Sequence, residues 1–296
     1  MKLLTTIYNL ESIQTLSAFV DGFLIGHHQF GTRLTKSFEK DEILKALHLT
    51  QKLNKELFLV CNQMFNDDQL ELFKNFIHEL PIQEFDGVVV ADLGAYMVMS
   101  ALGFSDLVIY NPETLLTNVF DFNFLADQKI LGAYIAKEIT LSDITVIAKH
   151  KKYKMFMVGH GHLNMFYSKR QLIDNFMQFN ETENIYHDRQ DLKIIEENRL
   201  DDGYPILEDM AGTHVFRSHV FSTLSYLSDI KDLVDYLIID TIFKDDLYAK
   251  VVLPMYHLNQ VNQEQIESIQ KEYDETWDDG FFFKKTIYKS KGHIND

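Results

Sequence analysis

Eight short β-rich runs, each ending in polar residues, recur along this chain at 3–8, 22–27, 57–62, 87–92, 107–111, 130–135, 155–160 and 236–240. Stretches of helical period lie between most of them. The early runs are spaced by roughly 25 residues, which suits βα units whose crossovers need a dozen residues or more. Eight such units predict an α/β fold of the (β/α)8 TIM-barrel type, irregular in places. A doubly wound open sheet is the alternative, because a strand count does not prove closure. From 181 to 218 the rhythm breaks, and this segment reads as an insertion between the seventh and eighth strands. Within it Asp209-Met210-Ala211-Gly212 is placed to turn a hairpin. The tail from about 274 to 296, with its WDDGFFFKKTIYK segment, is expected to pack on the body as a strand or lid.

Two helical stripes are explicit: Leu44, Leu47 and Leu53 in one stretch, and Leu70, Phe73, Phe76, Ile77 and Leu80 in another. Asp41, Asn66 and Ser142, each followed by acidic residues, read as helix N-caps.

At 296 residues and 46% hydrophobic the chain can bury a large core. It has four prolines and no Gly/Ser/Pro-rich linker, so a single domain over 1–296 is expected. The opening MKLLTTIYNLES meets Asn9 and Glu11 too early for a signal peptide. No window holds eighteen uninterrupted apolar residues. One cysteine, Cys61, excludes an intramolecular disulfide framework and any all-cysteine metal site. The expectation is a soluble, cytoplasmic protein without membrane contact. A net charge of −16 opposes unaided binding to polyphosphates. The basic runs at 149–154 and 284–291 read as a solvated helix end and a solvated tail.

The residues most suited to chemistry lie between Lys154 and Phe176, KMFMVGHGHLNMFYSKRQLIDNF, where an apolar run empties into a polar cluster. Polar groups just past strand ends are how α/β enzymes build sites. The other strand ends carry His27, His28, Arg33, Asn62, Asp92, Asn111, Glu113, Lys137, Glu138 and Asp240. Taken singly, Asp92 is a helix cap and Lys137 with Glu138 are charged loop residues; taken together they predict a pocket. His160, Tyr167, Ser168, Glu138 and Asp240 are the catalytic candidates. Arg33, Asn62, Asp92, Glu113, Glu138, His160, Tyr167 and Arg170 are the ligand-binding candidates, with Glu208 and His214 from the ILEDMAGTHVFRS segment. Arg33 and Arg170 are best suited to an anion, because a guanidinium fork grips a carboxylate or phosphate in two bonds.

Standard constellations are not found. His160 and His162, two apart on a strand, would share a face and offer two nitrogens to a metal, but hydrogen-bonding histidines are the preferred reading and no metal is expected. No G-x-S-x-G elbow or Gly-rich phosphate loop occurs, and Ser168 has no partner that spacing selects. Cys61, inside LFLVCNQ, reads as an inert core thiol.

At these residues the chain resembles the peptidase U32 family. The likeness runs through DGFLIGHHQFGTR, DGVVVADLG, AKEITLSDI, GHGHLNMFYSKRQL, EDMAGTHVF, LIIDTI and DDGFFF. Members of the family carry His-Gly, a cysteine a few residues on, and Tyr-Ser-Gly-Arg-Cys. Here His160-Gly161 and Tyr167-Ser168-Lys169-Arg170 match, while Asn164 and Gln171 replace the two cysteines and the two downstream cysteines are absent. The resemblance implies a barrel-like fold and a peptidase label. It also implies a rival activity, since relatives take part in hydroxylations: of the wobble uridine in tRNA, using prephenate, and of ubiquinone. Those relatives bind an iron–sulfur cluster through four cysteines, so the resemblance is to a short branch without the cluster. For such a chain it implies a paralogous U32 partner, contact with tRNA only through a complex, and a small carboxylate such as prephenate as ligand.

Overall fold

The computed structural model describes residues 1–187, 189–197 and 199–284, with backbone only at 199–202. Eight parallel strands form a barrel: β1 (Lys2–Thr6), β2 (Gly22–Gly26), β3 (Glu56–Cys61), β4 (Gly87–Val90), β5 (Val108–Tyr110), β6 (Gly132–Tyr134) and β7 (Lys154–Ser168), then β11 (Tyr236–Ile239). Between the last two, an insertion supplies β8 (Lys193–Glu196), β9 (Arg199–Asp209) and β10 (Gly212–Ser222). β11 pairs in parallel with both β1 and β7, which closes the ring and sets aside the open-sheet alternative. All eight expected barrel strands are present. The seventh is much longer than the run at 155–160.

Helices α1 (Ser12–Leu16), α2 (Lys40–Lys52), α3 (Asp67–Glu79), α4 (Leu93–Ala101), α5 (Val119–Phe122) and α6 (Leu141–His150) follow the first six strands in turn. α7 (Leu172–Phe179) belongs to the insertion, α8 (Leu227–Ile230) precedes β11, and α9 (Asp246–Leu258) and α10 (Gln263–Glu272) follow it. The brevity of α1, α5 and α8 is the irregularity of this barrel.

The helix starts correct two of the three expected caps. Asn66 does cap α3, in a reciprocal box with Gln69. For α2 the cap is Glu39, boxed with Glu42, and Asp41 lies in the first turn. For α6 it is Thr140, boxed with Asp143, so Ser142 lies inside the helix. In both cases the acidic residue three positions on, reaching back to the cap's own N–H, decides the start. The buried stripe of α2 runs through Ile43, Ala46, Leu47 and Thr50, with Leu44 only half-buried.

Alternation along the strands splits the core in two. Leu4, Leu24, Phe58, Ile109, Phe156 and Tyr236 face inward and plug the lower barrel, with the Phe156 and Tyr236 rings stacked at 4.4 Å. Leu3, Phe23, Leu57, Val88, Met155 and Leu237 face outward, under the helices. Cys61 is in this outer layer, and burial pushes its thiol far above the usual range, as suits an inert core group.

Beyond the barrel, β7 continues upward and β10 returns antiparallel beside it, with β9 and β8 added outward. The residues after His160 are therefore strand, where a loop was expected. The hairpin at Asp209–Gly212 joins β9 to β10 as anticipated. Its Gly212 has φ +135, and a Cβ there would lie 2.0 Å from the Ser168 carbonyl oxygen. In the tail, β12 (Trp277–Asp278) pairs with β10, and Phe282 is buried against Phe221 and Tyr226. Residues 285–296, with most of the second basic run, lie outside the described residues. The first basic run sits at the base of the barrel, where Lys151 and Lys154 pair with Asp235.

Candidate active site

A narrow cavity of about 80 Å³ opens at the C-terminal ends of the barrel strands. Leu24, Val60, Val89, Tyr134, Val158 and Ile238 form its apolar floor, above the plug. Its polar wall comes from Thr32, Arg33, Asn62, Asn111, Glu113, Lys137, His162, Asn164 and Asp240. Each of these follows a strand or, in β7, continues one, so strand length sets its height.

Glu113 organises the wall. Its Oε1 accepts from Arg33 Nη2 at 2.8 Å and its Oε2 accepts from Lys137 Nζ. Burial pushes the Glu113 carboxyl upward, but the Arg33 and Lys137 charges outweigh it and hold it at about 2. Arg33 and Glu113 both occupy the left-handed region, with φ of 55° and 64°. Non-glycine residues there cost about 1–2 kcal/mol each and persist where the surroundings over-determine them. The surroundings here are explicit: Asn62 Oδ1 accepts from the Thr32 N–H at 2.9 Å, Asp209 from the Arg33 N–H at 3.3 Å, and Asn111 from the Glu113 N–H at 3.3 Å.

Asp240 faces this ion triad from the end of β11. Burial raises its carboxyl to about 6, against the opposing pull of Lys137 and Arg33. A carboxyl poised there can give or take a proton near neutral pH. Gly161, at φ +129, lets β7 approach: a Cβ would lie 2.5 Å from the Asp240 carbonyl oxygen.

Behind Arg33 stands a second group. Thr32 Oγ1 donates to Asp209 at 2.6 Å and lies 2.9 Å from His214 Nε2. Arg33 Nη1 is 3.4 Å from His214 Nδ1, and a guanidinium only donates, so the His214 proton is on Nε2. Tyr167 stacks on His214 at 4.6 Å, nearly parallel, and donates to the Ala211 carbonyl. Burial lowers the pKa of His214, against the raising pull of Asp209.

Arg33, Asn62, Glu113 and Asp240 are thus brought together around one cavity, with His214 and Tyr167 supporting Arg33. The others are elsewhere. Asp92 spends both oxygens on the N–H groups of Phe65 and Ala95, as the cap of α4. Glu208, fully buried, accepts from Ile173, Asp174 and Thr213 and so caps α7. Glu138 is exposed on the loop. Ser168 accepts from the Arg170 N–H, and Arg170 is itself exposed on the insertion, away from the cavity.

His160 is the largest correction. The ladder to β11 slips by one residue between Val158 and His160, a β-bulge. His160 therefore turns outward, between Tyr248 and Tyr256 of α9, at 2.6 and 3.2 Å. Burial holds it neutral, with its pKa lowered to about 3. Gly161 then returns His162 to the cavity wall, so the two histidines do not share a face.

Lys137, Thr32, His162 and Asp209 are the site residues that sequence reasoning passed over or read differently. The signal for Lys137 was present, two residues past the sixth strand run. Adjacent charges Lys137 and Glu138 gave no way to tell which turns inward.

Two metal arrangements can be tested on the donors present. The positions that the resemblance would assign to a cluster hold Asn164, which donates to the Phe166 and Val215 carbonyls, and Gln171, which donates to the Asp209 carbonyl. Such clusters need thiolates, and these amides do not fit. His27, His28 and Glu39 also lie close together, outside the cavity lining. His27 Nδ1 accepts from the Gln29 N–H at 3.2 Å, which puts the ring proton on Nε2, aimed at Glu39 3.4 Å away. A metal-bound histidine instead donates from its second nitrogen. The trio is two histidines within ion-pair distance of one carboxylate, at the start of α2.

Outside the cavity a groove of about 510 Å³ shares Thr32, Leu34, Thr35 and Lys36 with it and adds Tyr8, Gln190 and Asp209. No helix among the described residues is long and apolar enough to cross a membrane.

Comparison with known proteins agrees with this architecture. The chain is 25% identical over 304 residues to tRNA hydroxylation protein P2 of Bacillus subtilis, covering 97% of this chain and 98% of that protein. It is 22% identical over 267 residues to the uncharacterized protease MJ0090 of Methanocaldococcus jannaschii, covering 84% of this chain and 64% of that one. Among solved structures, the U32 peptidase Mk0906 superposes with a TM-score of 0.52 at 11% identity, over 81% of this chain and 92% of that one, a likeness of fold. The model of peptidase family U32 matches residues 9–291, and the chain belongs to that family.

Proposed function

We propose that this protein acts in hydroxylation of the tRNA wobble uridine, as a subunit without an iron–sulfur cluster of its own, and that its barrel cavity binds a small carboxylate such as prephenate. The observation that carries the ligand reading is that two buried cations, Arg33 and Lys137, share one carboxylate, Glu113. A second carboxylate entering the cavity meets donors already positioned. Asp240 beside them takes up the proton that keeps the cavity near neutral. The narrow cavity admits the anionic end alone, and the ring of such a ligand would extend into the adjoining groove past Leu34.

The tRNA reading is supported by the full-length likeness to the Bacillus subtilis protein. A net charge of −16 disfavours direct polyphosphate contact, so tRNA is reached through a complex, with a paralogous U32 chain as the proposed partner. A peptidase is the second reading, favoured by the family name. Its best nucleophile is Thr32, but His214 presents a protonated Nε2 to that hydroxyl and cannot act as its base.

Mass spectrometry of tRNA nucleosides from a deletion strain tests the proposal. Loss of the 5-hydroxyuridine-derived pool, restored by the wild-type gene and not by Arg33→Ala, is expected. An unchanged pool sinks it.

A further inference from the structure

The polar groups around the cavity divide by hydrogen-bonding role. Arg33 and Lys137 only donate. Asn62 and Asn111 spend their oxygens on the N–H groups of Thr32 and Glu113, which leaves their amide protons as donors. The long strand β7 supplies the reverse. Asn164 spends its amide protons on the Phe166 and Val215 carbonyls and keeps its oxygen as an acceptor. His162, two residues earlier on the same strand, has its Nδ1 at 2.8 Å from the Arg217 carbonyl. A carbonyl only accepts, so the ring proton is on Nδ1 and Nε2 carries the lone pair. Among the described residues no group bonds that Nε2. Burial lowers the pKa of the ring and so favours its neutral form.

A contact outside the cavity holds this tautomer. The ladder between β10 and β7 is interrupted from Phe216 to Val220, and there the Arg217 carbonyl meets the His162 ring. The Arg217 guanidinium is itself gripped by both oxygens of Asp278 on β12, at 2.9 and 2.6 Å. Asp278 belongs to the DDGFFF segment, so the tail reaches the cavity through one arginine. We propose that His162 Nε2 is the acceptor that sets ligand specificity, and that the ligand is a carboxylate bearing a nearby hydroxyl. The inference rests on the carboxylate reading of Arg33 and Lys137. The carboxylate lies on those cations and the hydroxyl donates to Nε2. A cavity of about 80 Å³ holds little more than that end, which puts the hydroxyl on the carbon next to the carboxylate or the one after it. An analogue without the hydroxyl leaves a buried acceptor unpaired, and one with a carbonyl oxygen there sets two lone pairs against each other. Asp278 is a positioning residue, acting through Arg217.

Calorimetric titration of the full chain with lactate, β-hydroxypropionate and propionate tests this. At least one hydroxy acid is expected to bind about tenfold more tightly than propionate, the worth of one hydrogen bond. His162→Leu should reduce it to the affinity of propionate and leave propionate binding unchanged, which also shows that the variant is folded. Asp278→Asn should lower the same preference without weakening propionate; a merely structural Asp278 would weaken all three alike, and that result removes it from the positioning role. Nitrogen NMR of the wild type at neutral pH should find His162 protonated on Nδ1 and bare on Nε2. A protonated Nε2, equal affinities for the three acids, or a preference that survives His162→Leu overturns the inference and leaves the carboxylate reading standing. Failure of all three to bind takes both away.

Discussion

Arg33 and Glu113 meet at 2.8 Å across the cavity mouth, and both hold their positions from left-handed backbone. The two loops, after β2 and after β5, are thereby locked in conformations neither residue favours alone. The strain is repaid by the shared ion triad with Lys137 and by the side chains of Asn62, Asn111 and Asp209.

Arg33→Ala and Arg33→Gly are expected to abolish function equally, since both remove the guanidinium. Their stabilities should differ. Glycine pays no steric penalty at φ 55° and should leave the protein about 1 kcal/mol more stable than alanine. Urea unfolding of both variants beside a functional assay reads this. A glycine variant that keeps activity would remove Arg33 from the site.

Glu113→Gln leaves Arg33 and Lys137 buried without their common counter-charge. Breaking a buried pair this way costs roughly 3–5 kcal/mol. The same variant, if folded, should bind a small carboxylate more tightly than wild type, because the cations are no longer satisfied. Calorimetry showing weaker binding would count against the anion reading.

Asp240 sets the pH response. Its carboxyl is raised to about 6 in the folded chain from an ordinary 3.8. Folding therefore favours its protonated form, and stability from this group declines as pH rises from about 4 through 6, then levels off. Glu113, lowered to about 2, has the opposite sign: its contribution is present above its ordinary 4.5 and is lost as pH falls below that value. Asp240→Asn should be stabilised relative to wild type at pH 7.5 and lose that advantage near pH 4. Denaturation midpoints across this range check it, and a constant difference would show that Asp240 does not titrate as described.

His160 and Arg170 should separate structure from function in the conspicuous motif. His160→Ala removes a buried ring and its bonds to two tyrosines, and should cost about 2–4 kcal/mol while surviving protein keeps its activity. Arg170→Ala, at an exposed site, should change stability by less than about 0.5 kcal/mol and leave activity intact. Loss of activity in a stable Arg170→Ala protein would move the ligand toward the insertion.

The strands were legible because each is a compact apolar run, and the parallel arrangement followed from their spacing. Asn66 and Asp92 were legible as caps because capping is local. The errors have local causes too. Glu39 and Thr140 displaced the expected caps because the reciprocal bond three residues on outranks composition. The polar cluster after His160 became strand because β10 arrived to pair with it, and no property of residues 161–168 announces a partner fifty residues away.

The sequence by itself determined the eight-strand rhythm, the place of the insertion and the burial of its one cysteine, Cys61. These depend on residue type and short-range period. Only the tertiary structure decided that the ring closes, that a one-residue bulge turns His160 out of the site, and that Lys137 rather than Glu138 joins Arg33 on Glu113. Those outcomes depend on strand register and loop path, where a slip of one residue reverses the direction of a side chain.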